Sequence, residues 1–97
     1  GIDIAGKPGE PIQAASDGKV VYAGNSLRGY GNLVIVKHDN TYLTAYAHNR
    51  TLLVKEGDSV RKGQRIAEMG DSDANMVKLH FEVRMNGKPV NPMQYLQ

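Results

Sequence analysis

The chain has 97 residues, a formal net charge of +2 and a sequence pI near 9.0, which allows one small domain with a limited core and leaves no room for a second. Its Lys and Arg are scattered, unlike the dense basic stripe of a nucleic-acid reader; zero cysteines excludes disulfides and thiolate metal sites, and no apolar run is long enough to span a membrane. One Phe and no Trp leave Val, Ile, Leu, Met, Ala and Tyr to fill the interior, which suits thin β layers, and eleven Gly with four Pro point to many turns.

Gly1 to Ala5 reads as a short strand anchored by Ile2 and Ile4; taken alone, the Asp3 between them is a turn or strand-end acceptor. Lys7-Pro8-Gly9-Glu10-Pro11 is a turn set by Pro-Gly. Ile12-Gln13-Ala14-Ala15 and Lys19-Val20-Val21-Tyr22-Ala23 read as two strands joined through Ser16-Asp17-Gly18, a tight-turn sequence that predicts a hairpin. Glu56 to Ala67 repeats that grammar of Gly, small apolar step, Gly and strand. Two copies of one hairpin-like unit are expected to stack two sheets around a shared core. Asn25 to Asn32 is a loop containing Arg28, Gly29, Tyr30 and Gly31, whose glycines permit unusual backbone angles; it reads equally well as a connection or as a functional loop.

Leu33-Val34-Ile35-Val36 is a continuous apolar run, as expected of a central strand buried on both faces. After the Asp39-Asn40 turn, Tyr42 to His48 alternates, which places Tyr42, Thr44, Tyr46 and His48 on one face and Leu43, Ala45 and Ala47 on the other. His38 reads as a surface or strand-end histidine. Gly70 to Met76 is the least structured stretch and leads into the next strand as a groove wall; Asp71 and Asp73 lack the remaining oxygen ligands and the glycine of a calcium loop. Asn91-Pro92 makes a closing turn, with Tyr95 and Leu96 as apolar plugs.

The stretch Val77 to Arg84 carries the chemistry. Leu79, Phe81 and Val83 recur with period two and face the core, while Lys78, His80, Glu82 and Arg84 face the other way. Residues two apart on a strand stand side by side, so positions 78 and 80 form a platform able to reach one metal ion or one substrate carbonyl. A hydrolytic platform would ideally carry imidazole at both places, because imidazole ligates zinc and moves protons near neutral pH. This one carries Lys and His.

Leu79-His80-Phe81-Glu82-Val83-Arg84 followed by Gly87-Lys88-Pro89-Val90-Asn91-Pro92 resembles the C-terminal signature of the LytM or lysostaphin-type zinc endopeptidases that cut cell-wall peptide cross-links. Gly1-Ile2-Asp3-Ile4 resembles the end of that family's His-x-Gly-x-Asp motif, Gly29 to Val34 its strand entry, and Tyr46-Ala47-His48 its catalytic-histidine strand. In active members zinc is held by the His and Asp of the first motif and the second His of a His-x-His, while the first His of that pair and the Tyr-Ala-His histidine act in catalysis. The resemblance therefore places Asp3 and His80 at ligand positions and His48 at a catalytic position, and puts Lys78 where the other catalytic histidine stands. All four are expected to be vestigial, with no catalytic residue and no resident metal. The remaining ligand would lie two residues before Gly1, so the chain is expected to be one LytM-like domain, residues 1–97, excised from a longer parent.

This pattern is similar to the degenerate, NlpD-like subgroup of amidase activators. The resemblance implies an all-β fold, a small two-sheet antiparallel β-sandwich of duplicated motifs with little or no helix. It implies a pseudoenzyme that uses its former substrate groove, with Arg28, Tyr30, Tyr46, His48, Lys78 and His80, to hold a periplasmic N-acetylmuramoyl-L-alanine amidase during cell division. Lys78 would supply a fixed positive charge paired with Asp3 in place of the metal. A periplasmic location on an outer-membrane lipoprotein parent is expected, with the membrane reached only through a lipid anchor outside this chain. The alternatives are a zinc-dependent peptidoglycan endopeptidase, in which zinc would be the cofactor, and a module that binds peptidoglycan. Glu56 to Gln64 is also similar to the turn grammar of biotinyl and lipoyl carriers, but these need a lysine at an exposed hairpin tip, and Lys78 sits at the entry to an alternating strand.

Overall fold

The computed structural model of the chain describes residues 1–92, so Tyr95 and Leu96, the expected apolar plugs, lie outside the described residues. Nine strands and no helix are found among the described residues: β1 (Ile2–Ala5), β2 (Pro11–Gln13), β3 (Gly18–Gly24), β4 (Asn32–Lys37), β5 (Tyr42–Leu52), β6 (Ser59–Val60), β7 (Arg65–Met69), β8 (Lys78–Met85) and β9 (Lys88–Val90). Every pairing is antiparallel. The main layer runs β1-β8-β5-β4-β3-β6, and β2 pairs with β7 beside it. The two layers share β5. Its first part pairs with β8 as far as Ala47 opposite His80, and its last part, Asn49 to Leu52, pairs with β7 instead.

The repeat expected in the sequence is present, but neither unit closes on itself as a hairpin. β2 pairs with β7 and β3 with β6, so each copy lends its first strand to the second strand of the other. The turns between the strands interlock: Ala14 N–H donates to the Gln64 carbonyl at 2.9 Å, Gly63 N–H to the Ala14 carbonyl at 2.9 Å, and Lys62 N–H to Asp17 Oδ1 at 2.7 Å. Ser16-Asp17-Gly18 therefore joins two layers, and its turn chemistry serves the other copy.

The core forms between the layers from Ile12, Val20, Val34, Val36, Tyr46, Val60, Ile66, Met69, Phe81 and Val83. A second cluster, Leu33, Ala45 and Ala47 with Tyr22, Tyr30 and Ile35 packed against it, lies on the outer face of the main layer. This explains the apolar run in β4: Val34 and Val36 fill the core while Leu33 and Ile35 face the outer cluster. The alternation in β5 has the opposite consequence from the expected one. Tyr46 is 1% exposed and belongs to the core, so it cannot line an outer groove. Its hydroxyl accepts from the Ala15 N–H at 2.9 Å and bonds Thr44 Oγ1 at 2.7 Å. His38 extends that chain, with Nε2 at 2.8 Å from Thr44 Oγ1 and Nδ1 at 2.7 Å from the Asp17 carbonyl; it is a strand-end clasp remote from the outer face.

Candidate functional site

The outer face of β8 presents Lys78, His80, Glu82 and Arg84 in a row, as its period of two requires. β1 runs beside it with Asp3 opposite His80 and Ala5 opposite Lys78, which brings the Asp3 carboxylate between two side chains of the row. Asp3 Oδ1 lies 2.6 Å from His80 Nδ1, and Lys78 Nζ donates to Asp3 Oδ2 at 3.2 Å. On the other side of the ring, His80 Nε2 lies 2.8 Å from Glu82 Oε2. Glu82 Oε1 accepts from Arg84 Nε at 3.0 Å and from Nη2 at 2.9 Å. Five side chains thus alternate between basic and acidic types along the face, with the imidazole hydrogen-bonded at both nitrogens.

The ionisation of these groups follows from their neighbours. The His80 hydrogen bond holds the Asp3 carboxyl below its usual value against the opposing effect of burial, and Lys78 adds to the lowering. Burial alone would raise Glu82, but hydrogen bonds from His80 and Arg84 and their charges leave it below the usual carboxylate range. The same bond to Glu82 raises Arg84 above its ordinary value, and Tyr30 adds to the effect.

His48 arrives at this face by a backbone irregularity. Strand alternation alone would send it into the core with Tyr46, but its φ of +68° and a register shift between β4 and β5 turn it outward. Its ring meets His80 edge-on with centroids 6.1 Å apart, and the Tyr30 ring lies 6.3 Å from His80. His48 is 7% exposed; its N–H donates to the Tyr30 carbonyl at 2.8 Å and its Nδ1 to the Ser72 carbonyl at 2.8 Å. Beyond the row, an apolar cleft of about 290 Å³ is lined by Leu27, Tyr30, Leu33, Ile35, Leu43 and Ala45, with Glu82 and Arg84 at its side.

Asp3, Tyr30, His48, Lys78 and His80 therefore lie together on one face. Arg28 is exposed in the loop that forms the rim, next to the cleft residue Leu27, and makes no ion pair among the described residues. Tyr46 lies on the other side of the sheet. Glu82 and Arg84 join the site through the same period-two signal that marks Lys78 and His80. Ser72 joins it from the loop before β8 without any local pattern to mark it. Lys78 opens β8 with its side chain 21% exposed and ion-paired, which is not the free hairpin-tip lysine of a carrier domain.

Zinc requires three or four donors converging at about 2.0–2.3 Å. Here Asp3 and His80 point at each other, the second nitrogen of His80 is taken by Glu82, and an ammonium group sits against Asp3. No group of three or more His, Asp or Glu is placed to hold a metal ion among the described residues. The residues present do not fit a zinc site.

Comparisons with known proteins give the family of the chain. The sequence profile described as "Peptidase family M23" matches residues 1–92. The chain is 65% identical over 96 residues to a protein of Pseudomonas aeruginosa called "Lipoprotein NlpD/LppB homolog", covering 99% of this chain and 32% of that protein. It is 59% identical over 96 residues to the "Murein hydrolase activator NlpD" of Escherichia coli strain K12, covering 99% of this chain and 25% of that protein. It spans about a third or less of the length of these curated relatives. Among solved structures it is similar to the catalytic domain of the antimicrobial peptidase lysostaphin from Staphylococcus simulans, with a TM-score of 0.92 at 33% identity over 99% of this chain and 77% of that one. On sequence and fold together, the chain belongs to peptidase family M23.

Proposed function

We propose that this domain is a non-catalytic member of its family that activates a murein hydrolase, specifically a periplasmic N-acetylmuramoyl-L-alanine amidase, by holding a segment of that enzyme in the outer groove. The observation that carries the reading is the alternating chain Lys78–Asp3–His80–Glu82–Arg84, in which side chains satisfy one another where an active member would gather donors around a metal. The names of the relatives support it: one is a murein hydrolase activator and another a lipoprotein, in keeping with a periplasmic, lipid-anchored protein. Tyr30, His48, Lys78 and His80 form the floor of the groove and Arg28 its rim. Activation then requires that the groove bind the open state of the amidase more tightly than the closed one, since equal affinity for both shifts nothing.

The test is dye release from labelled sacculi with the domain alone, the amidase alone and both together. Release well above the sum of the separate reactions, seen only in the mixture, is the expected result. The fold neighbour that is itself a peptidase sets the competing reading: zinc-dependent release by the domain alone would make it an endopeptidase. Retention of the domain on sacculi without any effect on the amidase would instead make it a wall-binding module.

A further inference from the structure

The loops flanking His48 are tied together at one residue. Ser72 Oγ donates to the Asn49 carbonyl at 2.6 Å and accepts from the Asn32 N–H at 3.0 Å, while the Ser72 carbonyl accepts from His48 Nδ1 at 2.8 Å. A carbonyl can only accept and an amide N–H can only donate, so the hydroxyl proton has one destination and the imidazole proton facing Ser72 must sit on Nδ1. No hydrogen bond among the described residues occupies His48 Nε2. Two further features hold the same junction. Gly29 N–H donates to Asp73 Oδ2 at 2.8 Å, and Gly31, at φ +62°, passes so close that a Cβ there would strike the Ser72 carbonyl oxygen and hydroxyl. Beneath them Asn49, 1% exposed, spends its amide hydrogens on the Asn32 and Tyr46 carbonyls. His48 holds a left-handed backbone that residues other than glycine keep only where their surroundings over-determine it.

We propose that Ser72 is the positioning residue of the groove: it locks the rim loops, residues 25–32 and 71–77, to each other and to β5, and holds His48 in the tautomer that presents the Nε2 lone pair. The inference deepens the activator reading and rests on the groove being the binding surface. Its consequence for a bound segment is chemical. Lys78, Asp3, His80 and Glu82 already bond one another, whereas His48 Nε2 is an acceptor with no partner among the described residues, so a segment carrying an amide or hydroxyl donor opposite it is favoured over an isosteric one without.

Heteronuclear NMR of the imidazole nitrogens, with amide hydrogen exchange at Asn32 and His48, tests this on the wild-type chain and on Ser72→Ala and Ser72→Thr, alongside the sacculi assay. The wild type is expected to show His48 protonated on Nδ1. Ser72→Ala should mix the tautomers, accelerate exchange at Asn32, and raise the domain concentration needed for half-maximal amidase stimulation roughly tenfold, the weight of one or two hydrogen bonds. Ser72→Thr, which keeps the hydroxyl, should restore all three. A wild-type His48 protonated on Nε2, or a Ser72→Ala variant with unchanged tautomer and exchange, would overturn the proposal. Should Ser72→Ala fail to fold, Gly31→Ala crowds the same junction with the hydroxyl retained and is expected to mix the tautomers; an unchanged spectrum there would also overturn it. If the amidase ignores the wild-type domain while the spectra behave as expected, the activator reading falls and the positioning role of Ser72 stands.

Discussion

Replacing Tyr46 with Phe separates the core from the groove. The ring packs on Phe81 at a centroid distance of 5.4 Å and Phe keeps that contact, so only the hydroxyl is removed. Burial raises the phenol above its ordinary value, which leaves it neutral at working pH, and no charge is lost. Two partners lose a bond: Thr44 Oγ1 at 2.7 Å and the Ala15 N–H at 2.9 Å. Leaving one fully buried group unsatisfied costs about 1–3 kcal/mol, but Ala15 is half-buried and Thr44 keeps His38, so about 1–2 kcal/mol is expected. For a domain of this size that lowers Tm by about 4–16 °C. Thermal and urea denaturation followed by circular dichroism reads this loss. Combining the change with Thr44→Val should cost less than the sum of the two single variants, because each breaks the same bond. Stimulation of the amidase, assayed well below the new Tm, should be unchanged because Tyr46 faces away from the groove. A variant with normal Tm that no longer stimulates would refute this assignment and return Tyr46 to the partner surface.

Arg84→Ala and Lys78→Ala each remove a cation from the ion chain, with unequal consequences. The Glu82 side chain is 9% exposed, so losing Arg84 strands a largely buried carboxylate with His80 as its remaining partner, at a cost of about 2 kcal/mol. The Lys78–Asp3 pair is 21% and 50% exposed, and its loss should cost less than about 1 kcal/mol; equal losses in urea denaturation would show that burial does not set the difference. Asp39 Oδ1 accepts from the Thr41 and Tyr42 N–H groups at 2.8 Å each, which holds its carboxyl below the ordinary 3.8. A carboxyl lowered by folding adds stability above its unfolded value and loses it as pH falls through the folded one. The stability difference between the wild type and Asp39→Asn should therefore be constant near neutral pH and shrink below about pH 4; a difference undiminished in strong acid would rule out this origin.

What the sequence made legible depended on how local each signal was. The row on β8 follows from period two alone, because the strand is regular from Lys78 to Met85 and each polar side chain appears where alternation puts it. The same rule misassigned β5. Tyr46 and His48 share parity in the sequence, but the left-handed backbone at His48 breaks the alternation between them. His48 thus reaches the groove although the parity argument for it was wrong, and Tyr46 does not. Nothing local announced that break, since its supports are the Ser72 carbonyl 24 residues away and the turn of chain at Tyr30. The duplicated unit was visible as repeated turn grammar, while its strand exchange was not: Ser16-Asp17-Gly18 has the composition of a hairpin turn whether its strands pair with each other or with another copy. Which copy they choose is decided by the shared core of Ile12, Val20, Val60 and Ile66.

Lys78 ties the groove floor together through Asp3 without a metal ion between them. A bound zinc ion stabilises a fold only to the extent that free zinc exceeds its dissociation constant, so a metal-built floor varies with the metal supply. An ammonium on β8 is present in every copy of the chain, and here it lies 3.2 Å from the carboxylate it neutralises. If zinc nevertheless bound the folded chain, a concentration one hundred times its dissociation constant would add about 2.7 kcal/mol. For a domain of this size that is a rise of about 11–22 °C in Tm. The expected shift in a melt with added zinc, or with a chelator, is under about 2 °C, corresponding to well under 1 kcal/mol. A rise of ten degrees that the chelator reverses would mean that Asp3 and His80 release their present partners for the metal. In that case the ion chain would be a resting arrangement of a zinc site, and the groove would be that of a metal-dependent enzyme.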